Sequence, residues 1–254
     1  MKNLKNMKKT FFLTVLIMSL SLVFFSFAKA TNNGDVPTSN INDHDSVAVV
    51  AEHDAAKILS ETIYDSLQLG TLGLSREALD YAVKGYEKLL QKGAVMNDQY
   101  LTIVDLSQSS RKKRFYIIDM RNDELVWNTY VAHGKNSGVD EATRFSNAPN
   151  SEASSLGFYV TKSTYNGKHG LSLRISGQEE GFNDNAEARG VVVHGAPYVS
   201  PNRVNSAYMG RSQGCPALPE NEYAKVINII KGGSVLFVYH PDENYLQESQ
   251  LLND

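Results

Sequence analysis

Apolar residues fill every position from Phe11 to Phe27 except Thr14, Ser19, Ser21 and Ser26. Lys2, Lys5, Lys8 and Lys9 precede the run, and Ala28-Lys29-Ala30 comes after it. A positive start, an apolar middle and an A-x-A site predict a secretory signal peptide over residues 1–30, cleaved before Thr31. The competing reading is a membrane anchor, because a run of this length just reaches across a bilayer. The small residues at the cleavage positions and the polar segment after them favour cleavage, and no Cys stands directly after the run as a site for a lipid anchor. Residues 31–46, rich in Asn, Asp, Ser and Thr, predict a flexible linker. Helical periodicity begins near Val47, where Ala51, Ala55, Ile58, Leu59, Ile63 and Leu67 recur at three- and four-residue intervals. Gly70 and Gly73 break this helix. Ser75 is placed to cap a second one, with Leu79, Ala82, Val83, Tyr86, Leu89 and Leu90 on its apolar side and Gly93 at its end. Residues 47–97 thus predict a helical hairpin whose apolar face packs on the β domain C-terminal to it.

From Tyr100 the period changes. Tyr100–Val104, Arg114–Met120, Leu125–Val131, Gly157–Tyr165, Leu171–Ile175, Val191–His194 and Ser234–Tyr239 are short, β-branched or aromatic segments, and each predicts a strand. Asn122-Asp123 predicts a hairpin turn. Residues 133–155, rich in Gly, Ser, Asn and Ala, predict a long loop. Pro219 to Lys231 predicts a helix closed by Gly232, and residues 241–254 a polar, frayed tail. The fold class is mainly β, over residues 98–240, with an α-helical N-terminal extension.

The chain has 254 residues and a net charge of −3. Losing residues 1–30 removes five Lys and no acid, which leaves −8. An acidic chain without a basic block is a poor partner for nucleic acid. There is no paired Cys, no H-E-x-x-H, no calcium loop and no G-x-x-x-x-G-K-[ST], so neither a metal nor a nucleotide cofactor is expected. Glu179, Glu180 and Asp184 belong to a polar loop.

Composition directs attention to one residue. Cys215 is the only cysteine and lies in Gly210-Arg211-Ser212-Gln213-Gly214-Cys215-Pro216. A lone Cys is often a small buried hydrophobe, but an unpaired one in an exported chain suggests a reactive thiol. Such a thiol needs a base. Of six His, His44 and His53 fall in the linker and first helix, and His240 opens the tail. His133, His169 and His194 each border a strand and a Gly. His194 is the best candidate because it ends the apolar run Val191-Val192-Val193. Gly214 can take a turn that aims its N–H and that of Cys215 at a developing oxyanion. Arg211 either binds a substrate carboxylate or is a solvated surface residue. Ser212 either bonds within the loop or is only a turn residue.

His194-Gly195, with Ser212-Gln213-Gly214-Cys215 downstream and 17 residues between His194 and Ser212, resembles the catalytic motif of the YkuD-type L,D-transpeptidases. The longer stretches Val193-His194-Gly195-Ala196-Pro197-Tyr198 and Gly214-Cys215-Pro216-Ala217-Leu218-Pro219 are similar to the murein L,D-transpeptidase catalytic domain family. The resemblance covers residues 98–240 and implies a β-sandwich catalytic domain. It implies Cys215 as nucleophile, His194 as base and later proton donor, and the Gly195 carbonyl as the group that orients the imidazole. It also implies oxyanion donors around Gly214 and Cys215, and substrate contacts from Arg211, Ser212 and Gln213. Two positions depart from the better-known motif. Gln213 stands where that motif has His, and Ala217 where it has Arg or Asn, which leaves Arg211 to replace the missing cation. The implied substrates are peptidoglycan stem peptides in the periplasm or cell wall. The implied reaction is attack of Cys215 on a tetrapeptide stem, which releases D-Ala and leaves a thioester that an acceptor amine resolves into a 3→3 cross-link. An L,D-carboxypeptidase using the same thioester with water as acceptor, and a non-catalytic wall-binding protein, are the alternatives. A sortase-like enzyme would want an Arg after the Cys, and residues 216–254 contain none.

Overall fold

The computed structural model describes residues 56–253. The predicted signal peptide, the predicted linker and the first turns of the helix predicted from Val47 lie outside the described residues. Helix α1 occupies residues 56–66, a 3₁₀ turn comes next at Leu69–Leu72, and α2 spans Arg76–Gln91. Ser75 caps α2, its hydroxyl accepting the Ala78 N–H and so satisfying one of the free donors of the first turn. Gly93, at φ +67°, ends it while Ala94 N–H returns to the Leu89 carbonyl. The inner face of α2, including Leu79, Ala82, Val83, Tyr86 and Leu89, is buried. Gly85 is buried there too, and a Cβ on it would stand 2.0 Å from Phe158 Cζ. The helix backbone therefore rests on the Phe158 ring, and α2 shares one hydrophobic core with the strands.

Those strands are β1 (Tyr100–Asp105), β2 (Phe115–Asp119), β3 (Glu124–Thr129), β4 (Gly157–Gly167), β5 (Gly170–Gly177), β6 (Val192–Ala196), β7 (Ala217–Pro219) and β8 (Val235–Tyr239). They form one sheet in the order β3-β2-β1-β8-β4-β5-β6-β7. The β1–β8 and β6–β7 pairs are parallel, and the rest are antiparallel. Beyond β3 the chain bridges Ala132 to Ala217 and Gly134 to Ser212. The segment after one edge strand thereby reaches the other edge strand, and the sheet curls around its core.

Three expectations change. β7 is a strand where the sequence reading has loop, and α3 spans Tyr223–Ile230 rather than starting at Pro219. Pro219 instead ends β7 opposite Ala196, a strand-end position where a missing N–H costs little. The frayed tail is in fact two short helices, α4 (Glu243–Glu248) and α5 (Gln250–Asn253), with Tyr245, Leu251 and Leu252 buried. The Tyr245 and Ser249 hydroxyls and the Phe158 N–H all donate to the Glu179 carboxylate. Burial still holds the Glu179 pKa above the ordinary carboxylate value. Glu179 and Asn183 are buried structural groups, while Asp184 accepts from Gly181 N–H and Asn147. Among the described residues no helix is long and apolar enough to cross a membrane.

Candidate active site

The parallel β6–β7 pair brings the predicted site together. His194 pairs with Ser172 of β5 on one side and with Ala217 of β7 on the other. Cys215 lies two residues before Ala217, and the Pro216 carbonyl accepts the His194 N–H at 3.4 Å. The loop bearing the thiol is thus hydrogen-bonded to the strand bearing the imidazole. The apolar run Val191-Val192-Val193 fixes this arrangement, because its burial anchors β6 up to its last residues.

His194 is buried, and its Nδ1 lies 2.9 Å from the Gly195 carbonyl. A carbonyl only accepts, so Nδ1 carries the proton and Nε2 keeps its lone pair. Burial lowers the pKa of His194, the Gly195 bond opposes that, and His169 lowers it further. The imidazole is neutral at pH 7 and able to take a proton. Gly195 has a packing role as well, since a Cβ there would lie 2.6 Å from the Tyr223 ring.

Cys215 is half-buried and unpaired. Burial pushes its thiol up, while the Val192 N–H, 3.4 Å from Sγ, and the charge of Arg189 pull it down. Burial wins, so the resting group is a thiol that needs a base. Among the described residues no hydrogen bond joins Sγ to His194. Catalytic hydrogen bonds are commonly loose before substrate binds.

Gly214 has φ +117°, and a Cβ there would lie 2.8 Å from the Ala153 carbonyl. Only glycine fits without strain. Its N–H, however, donates to Ser212 Oγ at 3.1 Å, and Ser212 Oγ donates to the Cys215 carbonyl at 2.6 Å. This corrects the expectation that the Gly214 N–H points at an oxyanion. No hydrogen bond among the described residues takes up the Cys215 N–H. Ser212 is a buried strut of the loop. Gln213 is exposed, with its amide 3.4 Å from Glu152. Arg211 donates to the Lys135 and Gly138 carbonyls and lies over the Tyr208 ring at 4.8 Å.

Two arginines that the sequence reading passed over support the loop. Arg189 donates to the Ser146 and Ala153 carbonyls and to the Ser151 and Ser155 hydroxyls. Its Nη2 lies 3.3 Å from where a Gly214 Cβ would be. The signal for it was its place just before Gly190 and the buried strand. Arg114 is fully buried and donates to the Gln108 and Val131 carbonyls and to His133 Nδ1 at 2.7 Å. Burial lowers its pKa to about 10 and that of His133 to about 4, the latter also through the Arg114 charge. His133 is therefore a neutral acceptor, and its carbonyl holds Ser212 N–H. His240, half-buried, packs on Phe145 at 4.8 Å. His169 stacks on His194 at 4.5 Å.

Residues 71–239 match the L,D-transpeptidase catalytic domain family, YkuD_2. The chain belongs to this family. The match to the L,D-transpeptidase catalytic domain starts at residue 71 and so takes in α2, which the sequence reading set outside at residue 98. Among solved structures, the L,D-transpeptidase from Mycobacterium smegmatis is 16% identical with a TM-score of 0.36, over 56% of this chain and 59% of that one. L,D-transpeptidase 1 from Mycobacterium tuberculosis is 16% identical with a TM-score of 0.31, over 55% and 60%. The L,D-transpeptidase (Yku) from Stackebrandtia nassauensis is 15% identical with a TM-score of 0.31, over 64% and 66%. This L,D-transpeptidase catalytic domain thus spans about three fifths of the length of the first solved relatives. No curated protein sequence matches the chain.

Proposed function

We propose that the protein is a peptidoglycan L,D-transpeptidase of the periplasm or cell wall, with Cys215 as nucleophile and His194 as base. Nε2 of His194 takes the thiol proton. The sulfur attacks the carbonyl of the third residue, a diamino acid, in a tetrapeptide stem. The C–N bond to the terminal D-Ala breaks, D-Ala leaves with the proton that His194 returns, and a thioester remains on Cys215. An acceptor amine of a second stem then displaces the sulfur, forms a 3→3 cross-link and regenerates the thiol. The Cys215 N–H, free of any partner among the described residues, is the oxyanion donor in this scheme, with the Arg189 charge nearby to favour the thiolate. Arg211, beside the thiol loop, is the cation for a substrate carboxylate, and Gln213 lines its exposed side.

The observation that carries this reading is the bond from His194 Nδ1 to the Gly195 carbonyl, made on the strand against which the Cys215 loop is bonded. It sets the tautomer a base needs. Carbapenems are reactive acyl donors that a thiolate opens. Incubation of the purified chain with a carbapenem is expected to add one drug mass to the intact protein and none to the Cys215→Ala variant. An equal adduct on both would remove Cys215 from the role.

A further inference from the structure

The imidazole of His194 is held at one edge by the Gly195 carbonyl, but a single hydrogen bond leaves the ring free to tilt about it. Its face is covered by His169. The two rings lie 4.5 Å apart between centroids, at 29°. His169 comes from the turn between β4 and β5, where Gly167 pairs with Gly170, and its side chain is otherwise exposed.

The turn is tied to the base by a second route. A Cβ on Gly170 would lie 2.9 Å from the Tyr223 hydroxyl, and a Cβ on Gly195 would lie 2.6 Å from the same tyrosine's ring. One ring from the start of α3 therefore packs on the glycine after His194 and on the glycine after His169. Three elements meet there: the hairpin tip, the end of β6 and α3. Ser172, two residues beyond Gly170, pairs with His194 itself. A stack resting on strand pairing and on a shared tyrosine wedge is a built contact between two imidazoles.

We propose that His169 is a positioning residue for His194, holding the plane of the base through the stack of the two rings. This rests on the reading of His194 as the base. Like charges on stacked rings repel, so a cationic His169 disfavours protonation of His194; the lowered pKa of His194 has this among its causes, after burial. Of the other titratable groups on the elements around His194, Tyr223 of α3 packs on the adjoining Gly195 and Cys215 lies just before β7. Its strand partners Ser172 and Ala217 carry none. His169 takes no proton from the thiol and touches no reacting atom in this scheme.

Two variants and two readouts test the proposal. His169→Ala removes ring and charge, and His169→Phe keeps a ring without the charge. In carbapenem acylation of the purified chain, His169→Ala is expected to lower the saturating rate about tenfold while the half-saturating concentration moves by less than about twofold. His169→Phe is expected to restore the rate to within about twofold at neutral pH, with its acid limb moved to higher pH. Independently of turnover, the nitrogen NMR signals of His194 are expected to titrate at higher pH in His169→Phe than in the wild type. An alanine variant acylated as fast as the wild type at every pH would overturn the positioning role, and so would an unchanged His194 titration. A wild-type thiol that takes no carbapenem would count against the transpeptidase reading instead, and the His194 titration would still decide the pairing.

Discussion

The thiol loop owes its shape to one residue without a side chain. Gly214 sits at φ +117° with the Ala153 carbonyl where a Cβ would go. That carbonyl also accepts from Arg189, so it cannot yield without releasing the cation beside the thiol. Gly214→Ala is expected to cost about 2 kcal/mol of stability and to slow acylation of Cys215 more than about tenfold. Chemical denaturation and the acylation time course measure the two, and a variant with wild-type values in both would show that the loop tolerates a Cβ. At this scale the sequence was informative about chemistry and less so about roles. The lone Cys, the His ending an apolar run and the glycine before the thiol could all be read directly. That Gly214 N–H serves Ser212 rather than an oxyanion could not be read, because a hydroxyl three residues from the thiol can accept from many neighbours. Arg189 and Arg114 were passed over for a similar reason: their partners are mostly backbone carbonyls far along the chain, which leave no mark in composition.

Among the elements, those with a long, clear period were legible. The spacing of Leu79, Ala82, Val83, Tyr86 and Leu89 with Ser75 ahead of it gave α2, and β-branched runs gave the longer strands. β7 escaped because three residues carry no period, and its place comes from pairing with β6 and with Ala132. The terminal helices escaped because the segment is short and mostly polar, with few apolar residues to set a period; burial against Glu179 and α2 makes them. Gly85 is a mid-helix glycine that propensity alone would disfavour, and the Phe158 ring explains it. Gly85→Ala gains up to about 1 kcal/mol of helix propensity but forces a Cβ to 2.0 Å from Phe158 Cζ. Overpacking of that kind costs about 1–3 kcal/mol, so a net loss of stability is expected. A higher melting temperature for Gly85→Ala would contradict the direct seating of α2 on β4.

Across the whole molecule, burial of a neutral His133 against Arg114 couples the fold to pH. His133 drops from an ordinary 6.5 to about 4 in the folded state. Between those values the unfolded chain binds more protons, so stability rises with pH and is lost as pH falls from 6.5 toward 4. The full difference is about 3 kcal/mol at most. The melting temperature is expected to fall over that window, and the fall to be shallower in His133→Gln, which keeps an acceptor for Arg114. Equal slopes in the two proteins would place the pH dependence elsewhere. The curled sheet and the buried Arg114, through His133, both reach the short segment before Ala217, where the proposed chemistry resides. The most direct test of that chemistry is a single turnover with an isolated tetrapeptide stem, quenched in acid and weighed as intact protein. The account predicts an adduct equal to the stem less its terminal D-Ala on the wild-type chain and none on Cys215→Ala. Release of D-Ala that survives the loss of Cys215, or a wild-type chain that stays unmodified while D-Ala stays on the stem, would contradict it.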